Sequence, residues 1–309
     1  MMLSPLLMLA LAQTPTAIQP VAAQVQLSYA ALNTALHQAV RAGDVAGLEA
    51  LVKAGEPVNA TDDAGNAALH LAMNSELPAQ TSAQMVLILI QAGADIQARN
   101  QNQSTPLALA AEYNQLESTR LLLEHGADVQ ARDKWQWTPL HSAVNFAKNP
   151  QLVALLIEAG ADVNATHIYG WSPLHHTANY QGRDEHDLAD IAVILLKAGA
   201  NPNLAGKEGL SPLAFAAKNN KPDTLQTLVE NGANVDQPDN QGWTPLMHAV
   251  AYSQNPELVG QLLQAGANPG AKTREGDTAM TLANSLDTAN AENKERIQEM
   301  LAKAKSYQF

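Results

Sequence analysis

Trp137-Thr138-Pro139-Leu140-His141-Ser142-Ala143-Val144 decides how this chain folds, because close variants of it recur along the whole sequence. Thr138 before Pro139 reads as a helix start: the hydroxyl accepts a backbone N–H of the first turn, and proline's fixed φ suits the first helical position. Leu140 then points inward, and Ala143 one turn later is small enough to let a short helix lie against its neighbours. The pattern stands earlier as Thr34-Ala35-Leu36-His37, Ala67-Ala68-Leu69-His70 and Thr105-Pro106-Leu107-Ala108. It returns as Ser172-Pro173-Leu174-His175, Ser211-Pro212-Leu213-Ala214, Thr244-Pro245-Leu246-Met247 and Thr278-Ala279-Met280-Thr281. Successive first positions lie 33, 38, 33, 34, 39, 33 and 34 residues apart.

A second motif closes each unit, as in Ala92-Gly93-Ala94-Asp95, His125-Gly126-Ala127-Asp128 and Ala159-Gly160-Ala161-Asp162. Apolar runs such as Leu121-Leu122-Leu123 and Ile194-Leu195-Leu196 precede it and predict a second helix. Glycine ends that helix in the left-handed conformation, and the Asp, Asn and Gly residues that follow suit a projecting turn. One such unit cannot bury its apolar face alone, so stability has to come from stacking. The period of about 33 with Thr-Pro-Leu-His resembles the ankyrin-repeat family. The resemblance implies an all-α ankyrin-repeat solenoid of about eight helix–turn–helix units with protruding β-turn fingers. The units fall near 32–60, 61–98, 99–131, 132–165, 166–204, 205–237, 238–271 and 272–309. The fourth unit matches the seventh, down to Asn149-Pro150 and Asn255-Pro256, and the third matches the sixth. A duplicated block of three units is therefore expected, with the extra length of the second and fifth units emerging as loops on one edge. The first and last units should act as polar caps.

With 309 residues, the chain is longer than compact single cores usually grow, which favours an elongated array. Its 18 Lys+Arg against 30 Asp+Glu give a net charge of −12, the wrong sign for a phosphate-backbone footprint. No basic cluster suited to anionic lipid appears, and no late run is apolar enough to span a bilayer. Cysteine is absent, which excludes disulfides, thiolate zinc ligands and thiol catalysis. No Asp, Glu, Lys or Arg precedes Arg41. Within that stretch, Leu6-Leu7-Met8-Leu9-Ala10-Leu11-Ala12 followed by small residues reads as a signal peptide over 1–23. Cleavage is expected after Ala23 or Ala12. The segment lacks a basic n-region, so a cytoplasmic location stays open beside the exported (periplasmic or extracellular) one. The resemblance adds the bacterial-type exported kind of ankyrin protein.

What the resemblance implies about function is a protein partner on the concave face, formed by finger tips and the exposed side of each first helix. Trp135, Trp137, Tyr169, Trp171 and Trp243 fall at tip positions, and Tyr113, Phe146, Tyr180 and Tyr252 fall eight residues after each cap. Tryptophan and tyrosine are the usual anchors of interfaces. The same tryptophans could instead pack against neighbouring fingers. His37, His70, His141 and His175 belong to the repeated motif, where the resemblance implies that they hold the turn. His175-His176 with Asp184, Glu185, His186 and Asp187 has metal-ligand chemistry without metal-ligand spacing. No nucleophile elbow, phosphate loop or zinc-protease helix is present, so neither a catalytic residue nor a cofactor is expected. The expected activity is protein binding by a monomer in an adaptor, inhibitor or immunity-type role. A carbohydrate or small-ligand binder and a passive spacer are the alternatives.

Overall fold

The computed structural model describes residues 34–74, 76–179, 185–286 and 291–306. The leader expected over 1–23 and the candidate residue Tyr180 lie outside the described residues. The described residues form eight helix pairs, one per repeat. They are α1 (Ala35–Arg41) with α2 (Val45–Lys53), α3 (Ala68–Leu71) with α4 (Ala79–Gln91), α5 (Pro106–Glu112) with α6 (Leu116–Glu124), and α7 (Pro139–Ser142) with α8 (Pro150–Glu158). The series continues with α9 (Pro173–Asn179) and α10 (Glu185–Lys197), α11 (Pro212–Lys218) and α12 (Pro222–Glu230), α13 (Pro245–His248) and α14 (Pro256–Gln264), α15 (Ala279–Ser285) and α16 (Ala291–Ser306). First helices touch first helices of adjacent units, and second helices touch second helices, so the array has two layers. Among the described residues the sole strand-like pairing is an isolated bridge between Thr61 and Ala67.

The cap residues behave as their chemistry requires. The hydroxyls of Thr105, Thr138, Ser211 and Thr244 accept the backbone N–H three residues on, with proline at the first helical position. Leu107, Leu140, Leu174, Leu213 and Leu246, all two residues after the cap, are fully buried. From the other layer Leu122, Leu156, Leu195, Leu228 and Leu262 meet them in one continuous core. Each such leucine contributes about 1.5–3 kcal/mol. Ala110, Ala143, Ala216 and Ala249 are also fully buried. Any larger side chain there would push two first helices apart.

The irregular repeat lengths have two structural causes. In the 34-residue fourth and seventh units the first helix ends in a π-turn, over Ala143–Ala147 and Ala249–Ser253. Each π-turn absorbs one extra residue and is closed by a left-handed residue, Lys148 (φ 51°) or Gln254 (φ 50°). In the second and fifth units the second helix is longer: α4 and α10 have 13 residues, whereas α6, α8, α12 and α14 have nine. The additional residues expected as loops are thus taken up largely by an extra helical turn. The stretch 180–184 of the fifth unit lies outside the described residues. At the C-terminal end α16 buries Ile297 and Leu301 and exposes Glu292, Glu295 and Arg296.

Candidate functional site

Most of the fingers are held by one side chain placed five residues before the cap; Gly206 in the sixth unit leaves only backbone bonds. Asp133 Oδ1 accepts the N–H groups of Trp135 and Trp137, both at 2.8 Å. Asp62, Asn100 and Asp239 do the same in their own fingers. Neighbouring fingers are tied by single backbone bonds, such as Lys134 N–H to Asn102 O and Ile168 N–H to Trp135 O. The motif histidines add a second tie. Nδ1 of His141 accepts the N–H of Thr138 at 3.2 Å, and Nε2 lies 3.1 Å from the carbonyl of Trp171 in the next finger. Nδ1 as acceptor fixes the proton on Nε2, so the ring is a neutral bridge between repeats. His37, His70 and His175 make equivalent bonds to the carbonyls of Asn66, Ser104 and Leu210. Burial holds His141 down to about 3 and His175 down to about 4, keeping both neutral.

This scaffold places the candidate aromatics in two kinds of environment. Tyr169 (61% exposed), Tyr252 (54%), Phe146 (50%), Trp135 (43%) and Tyr113 (41%) stand in solvent. Trp137, Trp171 and Trp243, immediately before their caps, are half-buried. Trp137 lies parallel to His167 of the next finger, centroids 5.4 Å apart, and stacks on Phe146 at 5.5 Å. Trp171 meets the buried Phe215 edge-on at 4.7 Å. Trp243 stands 5.7 Å from Tyr252 and 5.4 Å from His248. Position decides the difference: Trp137 and Trp171, just before their caps, turn toward the next repeat and Trp243 packs on rings of its own unit, while the tip and the end of the first helix face outward.

The two π-turns also shape this surface. Phe146 and Tyr252 lie inside them.

A groove of about 870 Å³ runs over the first five units, from Arg41 to Tyr169. Tyr113, Trp135, Trp137, Phe146 and Tyr169 line one end, and Asn66, Asn74, Asn100 and Asn102 line the other. Trp171, Trp243 and Tyr252 do not line it; the last two form a separate patch in the seventh unit, with Lys218 Nζ 4.9 Å from the Tyr252 ring. The structure therefore joins five of the candidate residues in one groove, keeps Trp171 beside it at 6.1 Å from Tyr169, and sets Trp243 and Tyr252 apart.

Sequence reasoning overlooked His167, Glu112 and Asp133 among the residues beneath and beside these rings, and weighed His176 only for metal-ligand chemistry. His167 replaces the finger Asp or Asn, and its Nδ1 accepts the N–H of Tyr169 at 3.0 Å. His176 is buried, with Nδ1 3.1 Å from Asn145 Oδ1 and no partner for Nε2. Glu112 and Asp133 line the groove, and burial raises both carboxyls, with the charge of Asp133 adding to the rise of Glu112. The occupant of the position five before each cap was the available signal, since from Asp62 to Thr273 only His167 breaks a run of acids, amides and small residues there. Among the described residues no group of three or more histidines and carboxylates is placed to hold a metal ion, and no helix is long and apolar enough to cross a membrane.

Stacked helix pairs with bonded fingers define a repeat-built binding scaffold. Family models for ankyrin repeats match residues 32–63, 76–167, 131–205 and 174–273. The chain belongs to the ankyrin-repeat family, whose domains generally mediate protein–protein interaction. The ankyrin repeat domain of Bcl-3, described as a unique member of the IkappaB protein family, is similar over 78% of this chain and 100% of its own, with TM-score 0.63 and 26% identity. An ankyrin repeat domain from Acinetobacter baumannii AYE is similar over 65% of this chain and 97% of its own, with TM-score 0.56 and 29% identity. The E3 ubiquitin-protein ligase KEG of Arabidopsis thaliana is 34% identical over 94 residues, which is 30% of this chain but 6% of that protein. The chain thus spans a small fraction of that relative, and the likeness concerns repeats alone.

Proposed function

We propose that the chain is an exported, non-catalytic protein-binding module that grips one partner in the groove of its first five units, in an adaptor, inhibitor or immunity-type role. One observation carries this reading: Tyr113, Trp135, Phe146 and Tyr169 are all more than two-fifths exposed and line a single groove. A run of large rings in water is costly unless something covers it part of the time, and such rings are the residues that anchor interfaces. Export is supported by the apolar run Leu6–Ala12 and the small residues after it. N-terminal sequencing of the chain from its own cells tests export: a start at Gln13 or Gln24 is expected, and an intact Met1 counts against it.

The binding role is tested by comparing what the wild-type chain and a Phe146→Ala/Tyr169→Ala variant retain from the same cells. Both positions are exposed, so folding should be unaffected. A protein retained by the wild type and lost by the variant is expected. Equal retention overturns the groove as the surface used.

A second reading rests on the other end of the groove. Rings beside the amides of Asn66, Asn74, Asn100 and Asn102 also suit a carbohydrate, which stacks on aromatic faces and hydrogen-bonds to amides. Saturable quenching of tryptophan fluorescence by an oligosaccharide, with no protein captured, would favour it.

A further inference from the structure

The charge on the groove narrows the partner's chemistry. Glu112 ends α5 and Asp133 holds the next finger, and both are half-buried in the groove wall beside Tyr113, Trp135 and Phe146. Asp133 uses only Oδ1 in its finger. Among the described residues, neither Asp133 Oδ2 nor the Glu112 carboxylate has a hydrogen bond or salt bridge to any group. The charge of Asp133 raises the cost of ionising Glu112, adding to what burial already takes, while Lys134 partly offsets burial at Asp133. Glu76 adds a third carboxylate to the lining, and Arg41 at the far end is held by Asp62 at 2.6 Å. The rings alongside already accept cations: Lys134 Nζ stands 4.2 Å from the centre of Trp135. Two half-buried carboxylates share a single nearby cation, Lys134, which acts on Asp133 and not on Glu112; walled by rings that attract cations, they form a site with room for a further positive charge.

We propose that the groove takes a polypeptide segment presenting a lysine or arginine, whose charged head enters between Glu112 and Asp133 while its stem and apolar neighbours lie on Tyr113, Trp135 and Phe146. This rests on the reading of the groove as a protein-binding surface. Arginine is the better fit, because its planar head stacks on rings while bonding carboxylates. The chain's net charge of −12 steers basic segments toward it.

The test uses the full chain and random dodecapeptides selected for binding to it. Enriched peptides should carry Arg or Lys beside apolar residues. Their affinity should fall about tenfold with Glu112→Gln or Asp133→Asn and weaken with added salt. Thermal melting checks that the variants fold, and Asn at 133 keeps the oxygen that holds the finger. Neutral or acidic peptides that bind the wild type and E112Q equally, yet are lost with Phe146→Ala, overturn the cationic segment and leave the groove standing. Peptides insensitive to both Phe146→Ala and Tyr169→Ala, or no enrichment at all, overturn the groove reading and this proposal with it.

Discussion

His176 lies against His167, ring centroids 5.2 Å apart, at the two positions that two units further on hold a pair between His248 and Asp239. In the seventh unit Asp239 Oδ2 takes His248 Nε2 at 3.0 Å. In the fifth a second imidazole stands where that carboxylate would be, and His141 and His175 raise further the cost of charging His176. Burial lowers both histidines, but Asp239 partly offsets it for His248, whereas the neighbouring imidazoles add to it for His176.

The consequence is acid sensitivity centred on the fourth and fifth units. Unfolded, these imidazoles take protons near 6.5; folded, His141 does so at about 3, and His167 and His175 at about 4. Between those limits the unfolded chain binds more protons, so stability is complete above about pH 6.5 and falls as pH drops toward 4. At pH 5 the loss is up to about 2 kcal/mol for each of the fully buried His141 and His175. Melting curves at pH 7 and pH 5 should show it. His167→Asp, which recreates the pair of the seventh unit for His176, should make the fall shallower; an unchanged fall would show that the cluster is not its source.

Removing one inter-repeat bridge should be expensive. His141→Ala strands the N–H of Thr138 and the carbonyl of Trp171 and leaves a hole among Trp137, His167 and His176. Urea denaturation should report a loss of about 2–4 kcal/mol. A loss under about 0.5 kcal/mol would mean that the bridge is dispensable, since typical surface changes have that size.

The π-turns predict a conformational preference at their ends. Gln254 closes the seventh unit's π-turn at φ 50°, a region that β-branched residues avoid. Gln254→Val should be less stable than Gln254→Gly by about 1–2 kcal/mol. Equal stability of the two would argue against the left-handed closure.

Much of the architecture was readable from residues alone, because each repeat restates the same local chemistry. Thr138-Pro139 starts a helix, Leu140 enters the core and Gly160 ends the partner helix at φ 91°. That His141 holds its turn was implied by the family resemblance, but its reach to the carbonyl of Trp171 in the next repeat was not. The π-turns were not, since one residue added to Ala143–Ala147 has no sequence mark apart from the spacing of 34. The added length of the second unit looked like a loop, although Ala79–Gln91 can extend a helix by one turn and bury Met85 and Val86. The ring positions were legible, but their division was not. Whether Trp137 faces solvent depends on His167 in the next finger, a contact no local pattern encodes.

Glu112 offers a further check on the groove. Its ionised form is disfavoured by burial and by Asp133, so Glu112→Gln should leave the fold intact and raise Tm slightly near neutral pH. The gain should shrink as pH falls toward about 4.5 and be gone below it, where the carboxyl is protonated in both the folded and the unfolded chain. A clear drop in Tm would mean that Glu112 has a structural partner.

The measurement closest to the central claim is the partner's affinity for the wild-type chain and for a Phe146→Ala/Tyr169→Ala chain, by titration calorimetry. Two exposed interface anchors together should be worth about 2 kcal/mol or more, so Kd should rise at least about thirtyfold with Tm unchanged. A Kd within about threefold of wild type would place recognition on another face of the array and contradict the account.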